Sequence, residues 1–446
     1  MAGAYYQKIA HIDLKTGAVQ VRQLPCEMGR EFIGGRGLAA KLLCQAGAAG
    51  AEPLSADNVL VFAVGPMTCG AAPAAGRYTV ATKSPVSGKL IQASSGGIWG
   101  AKLKRAGWDA LVVEGEAEEW TCILVEDAMI RLVKARDCLG LMSEKTVEKL
   151  RAQYGAEASV LHIGPAGENK VLLSAIMNDT TRAVGRGGMA AVMGAKKLKA
   201  IVVKASCEDE IPYADPRALQ QTAEELTLRL SRKAASREEK RPLSAAACRN
   251  CPLACGRAAG MAGKGGGRDR ATLDTWAKLC DDYGLDAIGT LEVLDTAAQL
   301  CRQGALDPTL CAELILEQDS AETMARQIGR LADPKIEPER WMSAGAACLR
   351  QHCGVEETPV AAQKRSVPAG ASLEAQALHL KQQQALTAVI DSMGCCLFGA
   401  SAIELQEYAA LLNAATGTDW TAEQLLKLGE RICRLEDMFN ESALQK

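Results

Sequence analysis

Aromatic residues make up only 4% of this 446-residue chain, too few to build the stacking platforms on which single-stranded nucleic acids rest. An excess of either charge is also missing. The 51 Lys and Arg face 53 Asp and Glu, for a net −2, so no overall field draws the chain toward nucleic acid or an acidic membrane. No apolar run reaches the roughly 18–20 residues that a membrane span needs, and Met1-Ala-Gly-Ala-Tyr-Tyr6 lacks the apolar stretch of a secretory leader. Gly-x-Gly-x-x-Gly and Gly-Lys-Ser/Thr are both absent, which lowers the standing of ordinary dinucleotide and nucleoside-triphosphate chemistry.

Cysteine, by contrast, is plentiful at 17 residues. Without a leader these read as thiols of a reducing cytoplasm rather than as a disulfide scaffold. Cys248, Cys251 and Cys255 form a Cys-x2-Cys-x3-Cys loop, and Asp391-Ser-Met-Gly-Cys-Cys396 lies far downstream. Three local thiolates and a fourth from a distant segment suit a [4Fe–4S] cubane. Zinc is the rival, because four-cysteine zinc sites also use Cys-x2-Cys units. Such sites normally draw on two local pairs, and no second pair exists here. Chance clustering in a cysteine-rich chain is the bland reading.

The chain divides at about residue 207. Before it, glycine-punctuated strands are expected at 59–64, 78–82, 110–114, 122–125, 160–163 and 200–204, after a hairpin turning at Lys15-Thr16-Gly17. Helices are expected at 38–44, 98–104 and 146–154. Beyond it the chain reads as mostly helical. Asp215-Pro216 is an N-cap followed by proline at the first helical position. Thr421-x-x-Gln424 is a capping box, ahead of an apolar stripe of Leu425, Leu428, Ile432, Leu435 and Phe439. The fold class is α+β: a β-rich domain at 1–207, a helical domain at 208–345 with the three-cysteine loop, and a helical domain at 346–446. No internal repeat is visible in the sequence.

Several glycine turns could cradle a phosphorylated ligand. Arg182-Ala-Val-Gly-Arg-Gly-Gly188 runs into a predicted helix at 189–197, where backbone amides and the helix dipole favour an anion. Gly34-Gly35-Arg36-Gly37 and Ala93-Ser-Ser-Gly-Gly97 precede helices in the same style, and Gly76-Arg77-Tyr78 and Gly164-Pro-Ala-Gly-Glu168 complete the set. Each by itself is most often just a tight turn. A second pattern is shared by the two halves. Asp281-Asp-Tyr-Gly-Leu-Asp286 and Asp391-Ser-Met-Gly-Cys-Cys396 both read Asp-x-x-Gly-(Leu/Cys)-(Asp/Cys). Two copies suggest two similar ligands, each offering N–H groups to a carboxylate. The competing reading is a pair of helix ends closed by glycine C-caps.

Taken together, these strings resemble the tungsten- and molybdenum-dependent aldehyde:ferredoxin oxidoreductase family. The likeness is carried by Phe32-Ile-Gly-Gly-Arg-Gly-Leu38, Gly76-Arg-Tyr-Thr-Val-Ala-Thr-Lys-Ser-Pro85, Ser94-Ser-Gly-Gly-Ile-Trp-Gly100, Ala106-Gly-Trp-Asp109, Ile163-Gly-Pro-Ala-Gly-Glu-Asn169, Ile176-Met-Asn-Asp179, the 182–197 segment, the cysteine loop and both aspartate motifs. The resemblance implies that Cys248, Cys251, Cys255 and Cys396 are the four thiolates of a [4Fe–4S] cluster. It implies that Asp281, Gly284, Leu285 and Asp286 hold one half of a bis-pyranopterin (molybdopterin) cofactor, and Asp391, Gly394 and Cys395 the other. Gly96, Gly97, Arg182, Gly185, Arg186, Gly187 and Gly188 belong to the same cofactor-binding set. Arg77 would sit between cluster and pterin as a permanent cation. The carbonyls of Ser94 and Ala183 would meet a magnesium ion joining the pterin phosphates. Cys395 stands where the family has leucine and is expected to act through its backbone.

The implied reaction is oxidation of an aldehyde to a carboxylate, with electrons leaving through the cluster to ferredoxin or a ferredoxin-like subunit. The implied setting is the cytoplasm, with a homodimer left open and neither nucleic acid nor membrane involved. The departures fall on the substrate side. Gly263-Lys-Gly-Gly-Gly-Arg-Asp-Arg270 lacks a Gly-Pro-Glu-Tyr-Glu element, and Pro359-Val-Ala-Ala-Gln-Lys-Arg-Ser-Val-Pro368 stands where the family has a glycine-rich Arg-Gly…His element. His352 and His379 are the weak candidates for proton transfer. Three readings follow: an active enzyme with a shortened pocket, a non-catalytic paralogue carrying cofactor and cluster for electron transfer, and a remnant binding neither.

Overall fold

The computed structural model describes residues 3–180, 182–206, 211–235, 248, 250–253, 255, 270–308, 311, 321–355 and 373–445. The substrate-side segments 263–269 and 359–368 lie outside the described residues, as does the boundary at 207.

Twelve described strands form two six-stranded mixed sheets, and the two sheets are built alike. In the first, β1 (Lys8–Asp13) and β2 (Val19–Gln23) make the expected hairpin. Its turn closes because Asp13 accepts from the Lys15 amide and the Thr16 hydroxyl, while Gly17 takes a φ of +73°. A helix, Gly35–Gln45, follows. Then come β3 (Leu60–Val64), β4 (Tyr78–Lys83) and β5 (Leu90–Ser95), a short helix Trp99–Arg105, and β6 (Ala110–Glu114) parallel to β1. The second sheet repeats the plan. A hairpin of β7 (Thr121–Glu126) and β8 (Met129–Lys134) precedes the helix Ser143–Tyr154. Next are β9 (Ser159–Ile163), β10 (Ile176–Asn178) and β11 (Arg182–Val184), the helix Met189–Ala195, and β12 (Leu198–Lys204) parallel to β7. Strand orders β2-β1-β6-β3-β4-β5 and β8-β7-β12-β9-β10-β11 coincide. The sequence reading that saw no internal repeat is therefore corrected. The repeat lives in hydrogen-bond topology, which sequences can preserve while their side chains diverge.

Sheet burial explains the apolar runs. β3 is buried throughout: Leu60, Phe62 and Val64 face a core shared with the second sheet, and Val61 and Ala63 face one shared with helices. A strand covered on both faces needs no polar alternation. The shared core holds Tyr78, Trp99, Trp108, Ile163, Ile176 and Met189. Inside the fold, the Lys104 ammonium meets Asp109 at 2.7 Å with both side chains essentially inaccessible.

The remainder is helical, as expected for an α+β chain. Asp215 caps Pro216–Ala235 by accepting from the Ala218 amide, and Thr421 and Gln424 form the capping box of Ala422–Leu444. These two helices, with Leu373–Met393 and Leu405–Thr416, pack on the outer face of the first sheet. Helices Arg270–Tyr283, Ala287–Arg302, Ala321–Ala332, Glu337–Ser343 and Ala346–His352 share a separate core that reaches Ala166 and Val171 of the second half. Cys301 and Cys311 are joined by a disulfide, so one pair departs from the free-thiol expectation. Among the described residues no helix is long and apolar enough to cross a membrane.

The helix that ends at Met393 is held by close backbone contact. A Cβ at Gly429 would overlap the Ala385 backbone. Helix propensity would favour alanine there by about 1 kcal/mol, whereas overpacking costs about 1–3 kcal/mol. Packing wins in this account, so Gly429→Ala is expected to lower the calorimetric unfolding midpoint by a few degrees. A raised midpoint would show that the two helices separate freely.

Candidate functional site

Both Asp-x-x-Gly motifs are the last turn of a helix. Arg270–Tyr283 ends with Gly284 at φ +73°, and Leu373–Met393 with Gly394 at φ +82°. The Gly284 amide donates to the Asp281 carbonyl and the Leu285 amide to that of Cys280. The Gly394 amide donates to Asp391 and the Cys395 amide to Ile390 in the same way. These are paired Schellman closures. The C-cap reading is therefore correct for the backbone, and the closures themselves use main-chain groups only.

Each closure is seated against its own half of the duplicated domain. Gly65, just past β3, lies so close to Met393 and Gly394 that a Cβ would overlap their backbone, and Gly164, just past β9, stands in the same relation to Tyr283 and Gly284. The Gly394 carbonyl accepts from the Arg77 amide at 3.0 Å, and the Gly284 carbonyl from the Ala175 amide at 2.8 Å. Arg77 directly precedes β4 and Ala175 directly precedes β10. Across each hairpin, Ser94 pairs with Thr79 and Ala183 with Met177. The two residues expected to share a magnesium ion thus occupy equivalent positions in the two halves.

The half with Arg77 gathers the cysteines. The Arg77 Nη2 donates to Cys396 Sγ at 3.0 Å and its Nη1 to the Ser94 carbonyl at 3.1 Å. Burial works to strip its proton, but Cys396, Cys248 and Asp391 outweigh that effect and hold the guanidinium charged. Cys248 Sγ accepts from the Gly97 amide at 3.2 Å, and a Cβ at Gly96 would collide with that sulfur. The Asn178 side-chain amide fixes the same turn by donating to the Gly96 carbonyl at 2.6 Å. The Cys255 carbonyl accepts from Arg182 at 3.1 Å, and Asn250 donates to the Gly70 carbonyl. The Cys396 amide donates to Ala74 at 2.8 Å. The residue-250 loop and the residue-396 turn therefore dock on one wall, running from Gly70 to Gly97. Among the described residues, no three His, Cys, Asp or Glu side chains form a ready-made group for a metal ion.

Asp391 and Asp286 are both half-buried, and desolvation pushes each carboxyl up. Arg36 and the Ser94 hydroxyl offset the shift for Asp391, and Arg186 offsets it for Asp286. Asp391 accepts from Ser94 Oγ at 3.1 Å and lies 3.8 Å from Arg36, itself held bidentately by Glu436 at 2.7 Å. These groups line a cavity of about 240 Å³ together with Thr79 and Gln92. Thr79 Oγ1 and Gln92 Oε1 are buried with no hydrogen-bond partner among the described residues, so the cavity wall holds polar capacity that a ligand would satisfy. On the other side, a Cβ at Gly185 would press to 3.1 Å on Asp286, which also caps the Ala287–Arg302 helix. The Gly187 carbonyl accepts from Ser84, and Gly188 at φ +73° opens the next helix.

Some expectations are corrected. Gly34-Gly35-Arg36-Gly37 is a helix–helix contact, not an open anion cradle: a Cβ at Gly35 would overlap the Asp391 carbonyl, and the Gly37 amide donates to Ser392. His352 stacks on Trp341 and bonds the Cys348 carbonyl within its own helix. His379 lies twelve residues before Asp391 on one helix, about 18 Å away. Neither joins the site. Cys395 is buried, and its amide serves the helix closure. Arg36, Thr79, Gln92, Asn178 and Glu436 were missed as site residues. Arg36 lay inside a quoted motif, but its partner is 400 positions away.

With the geometry in place, comparison with known proteins is direct. The aldehyde ferredoxin oxidoreductase N-terminal domain model matches residues 9–205, and the model for domains 2 and 3 matches residues 341–445. The chain belongs to the aldehyde ferredoxin oxidoreductase family. It is 31% identical to the tungsten-containing aldehyde ferredoxin oxidoreductase of Pyrococcus furiosus, over 98% of this chain and 88% of that protein. The corresponding enzyme of Thermococcus kodakarensis is 29% identical with the same coverage. The first alignment runs over 538 positions, so roughly a hundred positions of the relative fall opposite gaps in this 446-residue chain. Among solved structures, the active-site complex BamBC of benzoyl coenzyme A reductase matches with a TM-score of 0.82 and 18% identity, covering 99% of this chain and 90% of that one. That likeness speaks for the fold alone.

The paired closures can be tested as structure. Gly304 has φ +69° and open space around it, whereas a Cβ at Gly394 would strike Thr68 Oγ1. Alanine at Gly304 is expected to cost only the left-handed penalty of about 1–2 kcal/mol. Gly394→Ala should cost clearly more in a urea titration, and equal losses would mean that the Gly394 seat is loose.

Proposed function

We propose that the chain is a tungsten- or molybdenum-pterin oxidoreductase that converts an aldehyde to a carboxylate and passes electrons through a [4Fe–4S] cluster to ferredoxin. The observation that supports this most is the half-buried Arg77 guanidinium, bonded to Cys396 and lying near Cys248 and Asp391, with its pKa raised. A permanent cation flanked by two cysteine segments and one carboxylate suits a site that holds an anionic cluster beside an anionic cofactor.

The residues fit the groups. Cys248, Cys251, Cys255 and Cys396 would hold the cluster. Asp281, Gly284, Leu285 and Asp286, with Arg182 and the turn from Gly185 to Gly188, would hold one pterin. Asp391, Gly394 and Cys395, with Gly96 and Gly97, would hold the other, and the unsatisfied Thr79 and Gln92 oxygens supply polar edges on that side. Magnesium between the Ser94 and Ala183 carbonyls is the finer part of the reading; the Ser94 carbonyl already accepts from Arg77 and keeps one further lone pair. When bound, the metal–pterin centre supplies the two-electron chemistry and the cluster the one-electron steps. Overall, the aldehyde and one water become the carboxylic acid, two protons and two electrons. The chain's own part is positional: Arg77 stays protonated and donates to thiolate and strand, Asp391 and Asp286 accept from ligand N–H groups, and burial excludes water.

A second reading has its own support. The hundred or so unmatched positions, and histidines placed away from the site, also suit a paralogue that carries cofactor and cluster without turning over an aldehyde. Both readings put the protein in the cytoplasm.

Protein purified without oxygen is expected to hold about four irons per chain and one tungsten or molybdenum with two pterins. Cys396→Ala should remove the broad visible absorbance of the cluster while Cys433→Ala keeps it. With cofactor loaded, some aldehyde in a broad panel should reduce viologen. Silence across the panel selects the carrier reading, and metal-free protein after anaerobic cofactor supply overturns both.

A further inference from the structure

Arg36 and Glu436 have no part in the function proposed above, yet they shape the cavity beside Asp391. Glu436, on the last helix, grips the Arg36 Nε and Nη2 at 2.7 Å each. That grip fixes the guanidinium and turns its third nitrogen, Nη1, toward Asp391 Oδ2 at 3.8 Å, beyond hydrogen-bond reach. The same carboxylate sets Gln92, whose Nε2 donates to Glu436 Oε1 at 3.3 Å. A carboxylate only accepts, so the amide oxygen is the end left over. That oxygen and Thr79 Oγ1 are buried without a partner among the described residues. All of these groups line one hollow of about 240 Å³.

The fold itself does not call for them. Met177 takes the place of Thr79 in the second half and is fully buried there, so the strand closes equally well on an apolar side chain. A tie between the Gly35–Gln45 and Ala422–Leu444 helices needs only the Arg36 Nε and Nη2. A buried polar atom left unpaired costs about 1–3 kcal/mol, which a matching ligand would relieve.

The pattern is one donor beside several acceptors. A 2-amino-4-oxopyrimidine ring presents a carbonyl, a ring N–H and an amino group along one edge. We propose that Arg36, set by Glu436, donates to the ring carbonyl of a pterin at the Asp391 turn, and that Gln92 and Thr79 accept from its amino group. Asp391 takes the ring N–H between them. The inference rests on the reading that a pterin occupies this seat, and it adds which edge is recognised and by which side chains. Arg36, Gln92 and Thr79 then determine specificity, while Glu436 is a positioning residue that acts through Arg36.

The test titrates three compounds into the full-length chain made in a pterin-deficient host, with circular dichroism as the check of folding. They are pterin-6-carboxylate, its lumazine counterpart (oxo in place of amino) and its 2,4-diaminopteridine counterpart (amino in place of oxo). The wild type should bind the pterin about tenfold more tightly than either analogue. Thr79→Val should lower pterin affinity about fivefold and narrow the gap to lumazine. Its unfolding midpoint should not fall, because the hydroxyl has no protein partner to lose. Arg36→Met and Glu436→Gln should close the gap to the diaminopteridine. Equal wild-type affinities, or gaps that survive in the variants, overturn the inference. So does tighter binding of guanosine, which shares the edge, because the cavity would then serve a purine nucleoside. A chain that carries pterin when made in a competent host, yet binds none of the three compounds, overturns the inference and leaves the proposed function standing. A chain that takes up no pterin from either source rejects both.

Discussion

The site depends on a half-buried positive charge. Arg77 directly precedes β4, with its half-buried guanidinium donating to the Cys396 sulfur and the Ser94 carbonyl. Its backbone is fixed as well: its amide donates to Gly394 and its carbonyl accepts from Thr68. A buried guanidinium is tolerated only with its hydrogen bonds filled and opposing charge nearby. Cys396, Cys248 and Asp391 approach the Arg77 guanidinium from three separate segments, and together they raise its pKa against the desolvation that would lower it. Removing any of them would leave the cation less well compensated, so the constraint couples the first sheet, the cysteine loop and the end of the Leu373–Met393 helix.

Duplication of the β domain explains why two similar aspartate turns exist and why the halves differ. Each half ends a central strand on a glycine, Gly65 or Gly164, that admits one helix closure. Where the first half has Arg77, the second has Ala175. Where the first closure is followed by Cys396, the second is followed by Asp286, spent in part on capping a helix. Two matching seats therefore suit two matching ligands, while under the proposed function the thiols beside Arg77 would put the electron path on that half.

Much of this was legible in the sequence where local chemistry decides structure. The Lys15-Thr16-Gly17 hairpin, the Asp215 and Thr421 caps and the buried runs at β3 and β6 all follow from short-range rules. β5, β8, β10 and β11 were hidden, because Leu90–Ser95 alternates weakly, Met129–Lys134 is only partly buried, and the other two are three residues long. The cysteine spacing and the repeated Asp-x-x-Gly strings pointed to the site because glycine at positive φ and thiol spacing are local signals. Arg36 with Glu436, and Gln92 in their shared cavity, are brought together only by tertiary packing. The glycines of residues 34–37 misled for a related reason: glycine admits a neighbouring backbone as readily as it admits a phosphate.

The account stands on the cysteine loop and the Cys396 turn binding one iron cluster on the Arg77 wall. The most direct measurement is an iron-edge anomalous difference map from crystals grown without oxygen. The account predicts one compact iron peak in bonding contact with Cys248, Cys251, Cys255 and Cys396 at once. Iron bound by the loop with Cys396 left uncoordinated, or a zinc-edge signal in its place, would contradict it.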